Sequence, residues 1–378
     1  MIIDCTFTNK FYQMVLENAI IGFIGAGGIA RSHAFSLNSL KYYYNDLPDI
    51  KLEAVCSVRA ESRVSFAKQF GFGQSPDLNK FISDKSINTV FILGPNKVHF
   101  QHLKAAMEMS SVKRIYIEKP VCSNVEEENA IAELTLKHPQ IKVQVGFQFL
   151  FTSAVREALK LWQSGKFGKP VHFDLKYYHS DYLQKDYRDK RSNRLTAAPD
   201  GGAMADLGSH AISMLIAFLG NHLRITSASQ AGHFDDVIPD SDLFSQISLF
   251  DEVTRAVGTL SASRISSGTG DKLTIELFAE KGALRFSSES PDYFEYYLNE
   301  TGLWSRQMTG SNFKPYTSFP SGHVPQGWLR SMIHAHYVFL TNNDDESVIP
   351  DIAHGLAVQR IVRETSQYLK EFRNLTGN

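Results

Sequence analysis

Short apolar runs alternating with helix-compatible stretches set the rhythm of the first part of the chain. Residues 20–24 form an apolar run ending on Gly25, and sequence suited to a helix begins near Ile29. A strand follows over 52–58, then a helix over 61–70 stopped by Gly71, a strand over 89–93 and a helix over 99–109. Strands at 114–117 and 142–147 flank a helix at 125–137. Strands that are apolar throughout are those covered on both faces, and the helices between them supply the crossovers of a parallel sheet. The expectation for this part is a Rossmann-type α/β domain.

Near residue 148 the period changes. A helix over 153–163, closed by Gly165, leads to a strand over 171–178, and a second helix spans 203–219. Apolar and polar positions then alternate over 273–278 and 283–286, with turn sequences at Asp251-Glu252 and Glu280-Lys281-Gly282. Period-two alternation predicts an antiparallel sheet with one face covered. Helices near 327–341 and 352–372 close the chain, and no internal repeat is visible. The division expected is 1–147, with 1–19 as an N-terminal arm, and 148–378 as an α+β domain built on a large, mostly antiparallel sheet.

Composition narrows the function. A chain of 378 residues suits two domains. The formal net charge of −1 offers neither the basic excess that nucleic acid requires nor an acidic tail. No apolar run approaches the roughly 18 residues that span a bilayer. Asp4, Lys10 and Glu17 interrupt the N-terminus, which has no signal-like apolar segment. Cys5, Cys56 and Cys122 are odd in number and form no CxxC pair, so a disulfide framework is not expected and a reducing cytoplasm is the economical location. The expected partner is a small molecule, not nucleic acid or membrane.

The first strand-to-helix junction reads Gly25-Ala26-Gly27-Gly28-Ile29-Ala30, a GxGxxA sequence. Gly25 permits the tight turn, Gly27 lets a pyrophosphate approach the backbone, and Ala30 lets helix pack on strand, while the helix N-terminus offers N–H donors. A plain tight turn is the alternative. The second strand ends Cys56-Ser57-Val58-Arg59 without the carboxylate that would bind a ribose 2′-hydroxyl, and it lies farther from Gly25 than the usual ~20 residues. NAD or NADP is expected, with Ser57 and Arg59 tilting the choice toward NADP.

Two further groups carry chemistry. Glu118-Lys119-Pro120 closes a strand at the carboxyl end of the sheet, where α/β folds gather ligands, so Lys119 can donate to a substrate oxygen or take its proton, or simply snorkel to water. Asp200-Gly201-Gly202 leads into Asp206 and His210, four apart and on one helix face, where a carboxylate can orient an imidazole base. The same spacing also suits a helix-stabilising pair. His99 and His102 make a similar pair, but with no third obvious ligand no metal is expected.

Taken together, the GxGxxA loop, Pro95-Asn96-Lys97-Val98-His99, Glu118-Lys119-Pro120 and Gly201-Gly202 through His210 resemble, in order, the landmarks of the glucose–fructose oxidoreductase and inositol dehydrogenase (Gfo/Idh/MocA) family. The resemblance covers nearly the whole chain from residue 20. It implies an NAD(P)-dependent dehydrogenase moving a hydride between nicotinamide and a carbon of a sugar or polyol, with the open sheet used for a homodimer or homotetramer. It further implies that Pro95, Asn96 and His99 border the cofactor and that Glu118 lies near the nicotinamide ribose. Lys119, Asp206 and His210 would form the catalytic group, with His210 as base oriented by Asp206. Two departures stand out: Gln148-Phe149-Leu150 where the family often has Asn-Tyr-Arg, and Gly94-Pro95-Asn96 for Thr-Pro-Asn. Gln148 is carried forward as a substrate contact. The basic stretch 182–194 is either a solvated loop or a lid whose Arg188 touches substrate hydroxyls, with Arg191 and Arg194 suited to a phosphate. Residues 313–328 are a further candidate wall of the cleft. Two rival activities remain: a glycoside hydrolase using bound NAD transiently, and a non-catalytic sensor on the same fold.

Overall fold

In the computed structural model the described residues are 17–192, 195, 202–232, 234–237, 242–310, 327–341 and 348–376. The arm 1–16, Arg194, Asp200, Gly201 and residues 313–326 lie outside them, as does the side chain of Trp328.

Five parallel strands form the first sheet: β1 (Ala19–Ile24), β2 (Ile50–Cys56), β3 (Thr89–Ile92), β4 (Arg114–Ile117) and β5 (Lys142–Val145), in the order β2-β1-β3-β4-β5. Between them run α1 (Gly28–Tyr43), α2 (Ala60–Phe70), the short α3 (Leu78–Ile82), α4 (His99–Met107) and α5 (Val125–Lys137). β3 and β4 are buried along their whole length, as unbroken apolar strands require. Tyr42 and Tyr43 finish α1. The added spacing after Gly25 is mostly a longer helix.

The second half holds α6 (Ser153–Gln163), β6 (Pro170–Tyr178), α7 (Lys185–Lys190), α8 (Ser209–Leu219) and seven further strands. These are β7 (Leu223–Ala231), β8 (Phe244–Asp251), β9 (Val257–Ser263), β10 (Lys272–Ala279), β11 (Gly282–Ser287), β12 (Tyr293–Leu298) and β13 (Leu303–Met308). Their order is β13-β12-β11-β10-β6-β9-β8-β7, antiparallel except for β6 beside β9. Along β6, Phe173, Leu175 and Tyr177 face the core while Asp174, Lys176 and Tyr178 are half-buried on the other face. The covered face carries α6 and α8, and α8 is apolar nearly all round because it is packed on every side.

The two closing helices, α9 (Gly327–Thr341) and α10 (Ile352–Thr376), bind the halves together. α9 returns to the parallel sheet: His336 and Phe339 meet the rings of Phe91 and Tyr116 edge-on. It also faces α1, where Tyr44 hydroxyl lies 2.7 Å from His334 Nδ1 and accepts from Arg330 Nη1 at 2.7 Å. α10 packs on α8, β7 and β5. Gly355 allows its approach to β5, since a Cβ there would stand 2.9 Å from both Val121 Cγ1 and Val145 Cγ2. Glycine inside a helix ordinarily costs about 0.5–1 kcal/mol against alanine. Here the sign should reverse: Gly355→Ala is expected to destabilise by roughly 1–3 kcal/mol through overpacking, seen as a lower urea midpoint at unchanged slope. A raised midpoint would mean that the two valines move aside freely.

Candidate active site

The site begins where β1 meets α1. Gly25 has φ +126°, and a Cβ on it would lie 2.7 Å from the Leu93 carbonyl, so only glycine turns the chain here. Around ideal Cβ positions at Gly27 and Gly28 there is nothing within 4 Å. No side chain caps α1 at Gly27, so its first N–H groups open onto clear space, the cradle that a pyrophosphate fills. Ala30 is fully buried beneath, and Ile29 is half-buried. At the rim, Ser57 Oγ donates to the Arg59 carbonyl at 3.2 Å, and Arg63 ties the Ser57 carbonyl at 3.1 Å. Arg59 shares a pocket with Arg31, Ser62 and Gln69, and neither arginine has an ion-pair partner among the described residues. The acidic residue of β2, Glu53, is engaged by Lys51 and Gln74.

A continuous cleft of about 1350 Å³ runs from this loop between the two sheets. Pro95 and Asn96 line it at a 3₁₀ turn (Asn96–Val98). His99 also borders it, but both its ring nitrogens lie against backbone carbonyls, of Pro120 at 2.7 Å and Gly94 at 2.9 Å. Its contribution is to tie two loops of the cleft together. Burial holds its pKa below the usual imidazole range.

Glu118 is buried, and its Oε1 takes a hydrogen bond from His33 Nε2 at 2.9 Å. A carboxylate only accepts, so His33 carries a proton on Nε2, and its Nδ1 lies 2.8 Å from His336 Nε2. The glutamate beside the cleft is thereby linked through α1 to α9.

Lys119, one residue on, reaches across to the second half. Its Nζ donates to the Asp206 carbonyl at 2.6 Å and to Asp206 Oδ1 at 3.1 Å. The other carboxylate oxygen, Oδ2, accepts from Arg264 Nη2 at 2.8 Å. Arg264 follows β9, is about 1% exposed, and stacks its guanidinium over Tyr182 at 4.6 Å. Burial pulls its pKa down, but Asp206, Tyr182 and Asp242 together more than offset this and the net shift is upward.

Asp206 does not orient His210. The segment expected as uniform helix opens with a π-helical turn, Met204–Gly208, before α8 starts. The wider turn breaks the four-residue stacking, and Asp206 spends both oxygens on cations. His210 is instead walled by the rings of Phe149 (5.3 Å), Phe147 and Tyr177 (both 5.9 Å), and its Nδ1 has no hydrogen-bond partner among the described residues. Burial first, then the Lys119 charge, hold its pKa well below 6.5 against the opposing pull of Asp206, so the ring is neutral. The start of this helix is held by buried Asp242, whose Oδ2 accepts from Met204 N at 2.7 Å.

Gln148 lines the cleft, from a 3₁₀ turn (Gln148–Phe151). Arg188 does not. Its guanidinium forms a two-point pair with Asp236 (3.0 and 2.9 Å), donates to the Tyr182 and Leu183 carbonyls, and covers Phe234 at 4.0 Å. It is a buried staple of α7, and Tyr182, Tyr187 and Arg191 are the described residues of 182–194 that line the cleft. Residues that the sequence reading missed are Arg264, Tyr177, His179, Asp242 and Asp271. Among the described residues no three His, Cys, Asp or Glu side chains converge on a metal position, and no helix is long and apolar enough to cross a membrane.

Comparison with known proteins agrees with this layout. Residues 20–147 match the model of an oxidoreductase family with an NAD-binding Rossmann fold, and residues 155–285 match the GFO/IDH/MocA C-terminal domain. Levoglucosan dehydrogenase of Pseudarthrobacter phenanthrenivorans is 24% identical over 92% of this chain and 95% of its own length. The scyllo-inositol 2-dehydrogenase (NAD(+)) of Bacillus subtilis is 26% identical over 67% of the chain and 72% of its own. A structure of levoglucosan dehydrogenase in complex with NADH and levoglucosan superposes with a TM-score of 0.83 at 23% identity, covering 93% of this chain and 97% of that one. With both family models matched in chain order, the chain belongs to the Gfo/Idh/MocA family of NAD-binding oxidoreductases.

Proposed function

We propose that this protein oxidises one hydroxyl-bearing carbon of a sugar or polyol, or reduces the matching ketone, with a nicotinamide dinucleotide as hydride carrier. The observation that carries the reading is the convergence of Lys119 and His210 in the same cleft as the open glycine loop at Gly25, Gly27 and Gly28. Bound there, the dinucleotide supplies or accepts the hydride at nicotinamide C4.

The chain's own residues do the rest. The N–H groups at the start of α1 hold the pyrophosphate, and Pro95, Asn96 and Glu118 flank the nicotinamide end. Lys119 Nζ, kept in place by Asp206, donates to the reacting oxygen. Neutral His210 takes the proton as the hydroxyl is oxidised and returns it on reduction. Its ring is positioned by aromatic walls, not by a carboxylate. At the adenosine end, the end of β2 carries no carboxylate, and Arg59 and Arg31, which share their pocket with Glu61, have no ion-pair partner among the described residues; this supports NADP over NAD.

Three outcomes test these assignments. Lys119→Ala and His210→Ala should each lower turnover on the order of 10²-fold or more with dinucleotide affinity retained; near-normal rates would remove that residue from the chemistry. Gly27→Val should fold, because its side chain points into open space, yet lose dinucleotide binding in a fluorescence titration with the reduced cofactor. Binding unchanged from the parent protein would mean that the loop holds something else. Arg59→Ala should weaken NADP binding about 10- to 100-fold, the effect of one charge-assisted hydrogen bond, while leaving NAD unaffected. Equal losses for both would refute the preference for the phosphorylated cofactor.

A further inference from the structure

His179 follows the last residue of β6 and continues its inward-facing row, one two-residue repeat (about 7 Å) beyond Tyr177, whose ring stands beside His210. Its backbone is fixed on both sides: N–H donates to the Ser263 carbonyl at 2.8 Å, and its carbonyl accepts from Ser266 N at 3.0 Å. The ring is fixed as well. Nδ1 accepts the backbone N–H of Asp181 at 3.3 Å, and the ring leans on Tyr182 at 5.7 Å. Because a backbone N–H can only donate, Nδ1 is unprotonated and the neutral ring carries its hydrogen on Nε2. Burial keeps the ring neutral, drawing its pKa below the usual value; Asp181, Asp271 and Asp206 oppose this, and Arg264 adds to it. The residue is about 7% exposed, lines the cleft, and its Nε2–H has no protein acceptor among the described residues.

Asp271 also lines the cleft, just before β10, whose Lys272 pairs with Tyr178, the residue preceding His179. Asp271 is a non-glycine residue at φ +44°, and its Oδ1 accepts from Tyr177 hydroxyl at 3.4 Å. Such conformations are uncommon outside glycine and collect at sites where a side chain must be aimed. A preset donor and an acid oxygen thus line the same cleft as the proton-transfer groups. A sugar hydroxyl both donates and accepts, whereas a phosphate only repels the carboxylate at neutral pH.

We propose that His179 Nε2–H and the Asp271 carboxylate read a substrate hydroxyl other than the reacting one, so that the site takes an unphosphorylated sugar or polyol. This rests on the dehydrogenase reading above and deepens it from reaction type to substrate class. His179 is then a specificity residue. It moves no proton.

The test uses the full chain with levoglucosan, myo-inositol, D-glucose and glucose 6-phosphate as probes, the best of the unphosphorylated ones being carried forward with its monodeoxy analogues. Turnover is paired with calorimetric binding to the protein holding reduced dinucleotide. In the parent protein one non-reacting deoxy position should lower kcat/KM about 10²-fold or more, since a site built to bond a hydroxyl discriminates strongly against its loss. In His179→Phe, which keeps the ring contact with Tyr182, the parent sugar should fall to the level of that analogue and the ratio should collapse to about 1–3. His179→Gln, which retains an N–H at similar reach, should restore most of the discrimination in both kinetics and binding. Unchanged ratios in His179→Phe would overturn the assignment while leaving the dehydrogenase reading intact, and glucose 6-phosphate preferred over glucose would overturn its substrate class. If no probe binds or turns over in the parent protein, both readings fail together.

Discussion

Asp206 stands between two cations that come from different sheets. Lys119 is delivered by the end of β4 and Arg264 by the end of β9, and one carboxylate joins them. Arg264 is almost fully buried, so its charge depends on this partner, and removing one side of such a pair costs about 3–5 kcal/mol. The wall of the cleft opposite the glycine loop therefore depends on where Asp206 sits. Its position in turn follows from the π-helical turn and from Asp242, which holds the first turn by its backbone.

The same logic of bridging recurs deeper in the molecule. Glu118 is tied to His33 and onward to His336, so α9, though late in sequence, is linked through His33 of α1 to the residue beside Lys119. α10 is brought against β5 by Gly355. These contacts leave the cleft between two sheets that cannot easily slide past each other, which suits hydride transfer, where reacting atoms must be held within about 3–3.5 Å. A neutral His210 in an aromatic enclosure fits a site from which water is largely excluded.

Much of this was legible in the sequence because it is local. The alternating runs gave the parallel sheet, the GxGxxA loop marked the turn that Gly25 makes, and Glu118-Lys119 stood at a strand end. What could not be read was pairing across distance. Asp206 and His210 are four apart and suggested each other, yet the partners of Asp206 lie 87 residues before it and 58 after it. Arg188 looked free in a basic stretch, but its carboxylate, Asp236, is 48 residues on. His179 carries no motif at all, and its readiness to donate follows only from a backbone N–H that fixes its tautomer. Helix phase was the other hidden variable, since one π-helical turn separates two residues that an α-helix would stack.

Transfer of label is the most direct test of the central claim, that this cleft passes hydride between a polyol carbon and nicotinamide. The protein would be incubated with oxidised dinucleotide and a sugar or inositol deuterated at every carbon, and the products examined by mass spectrometry and NMR. The account predicts one deuterium at nicotinamide C4 for each ketone formed. Ketone or cleaved glycoside appearing with no deuterium retained on the dinucleotide would contradict it.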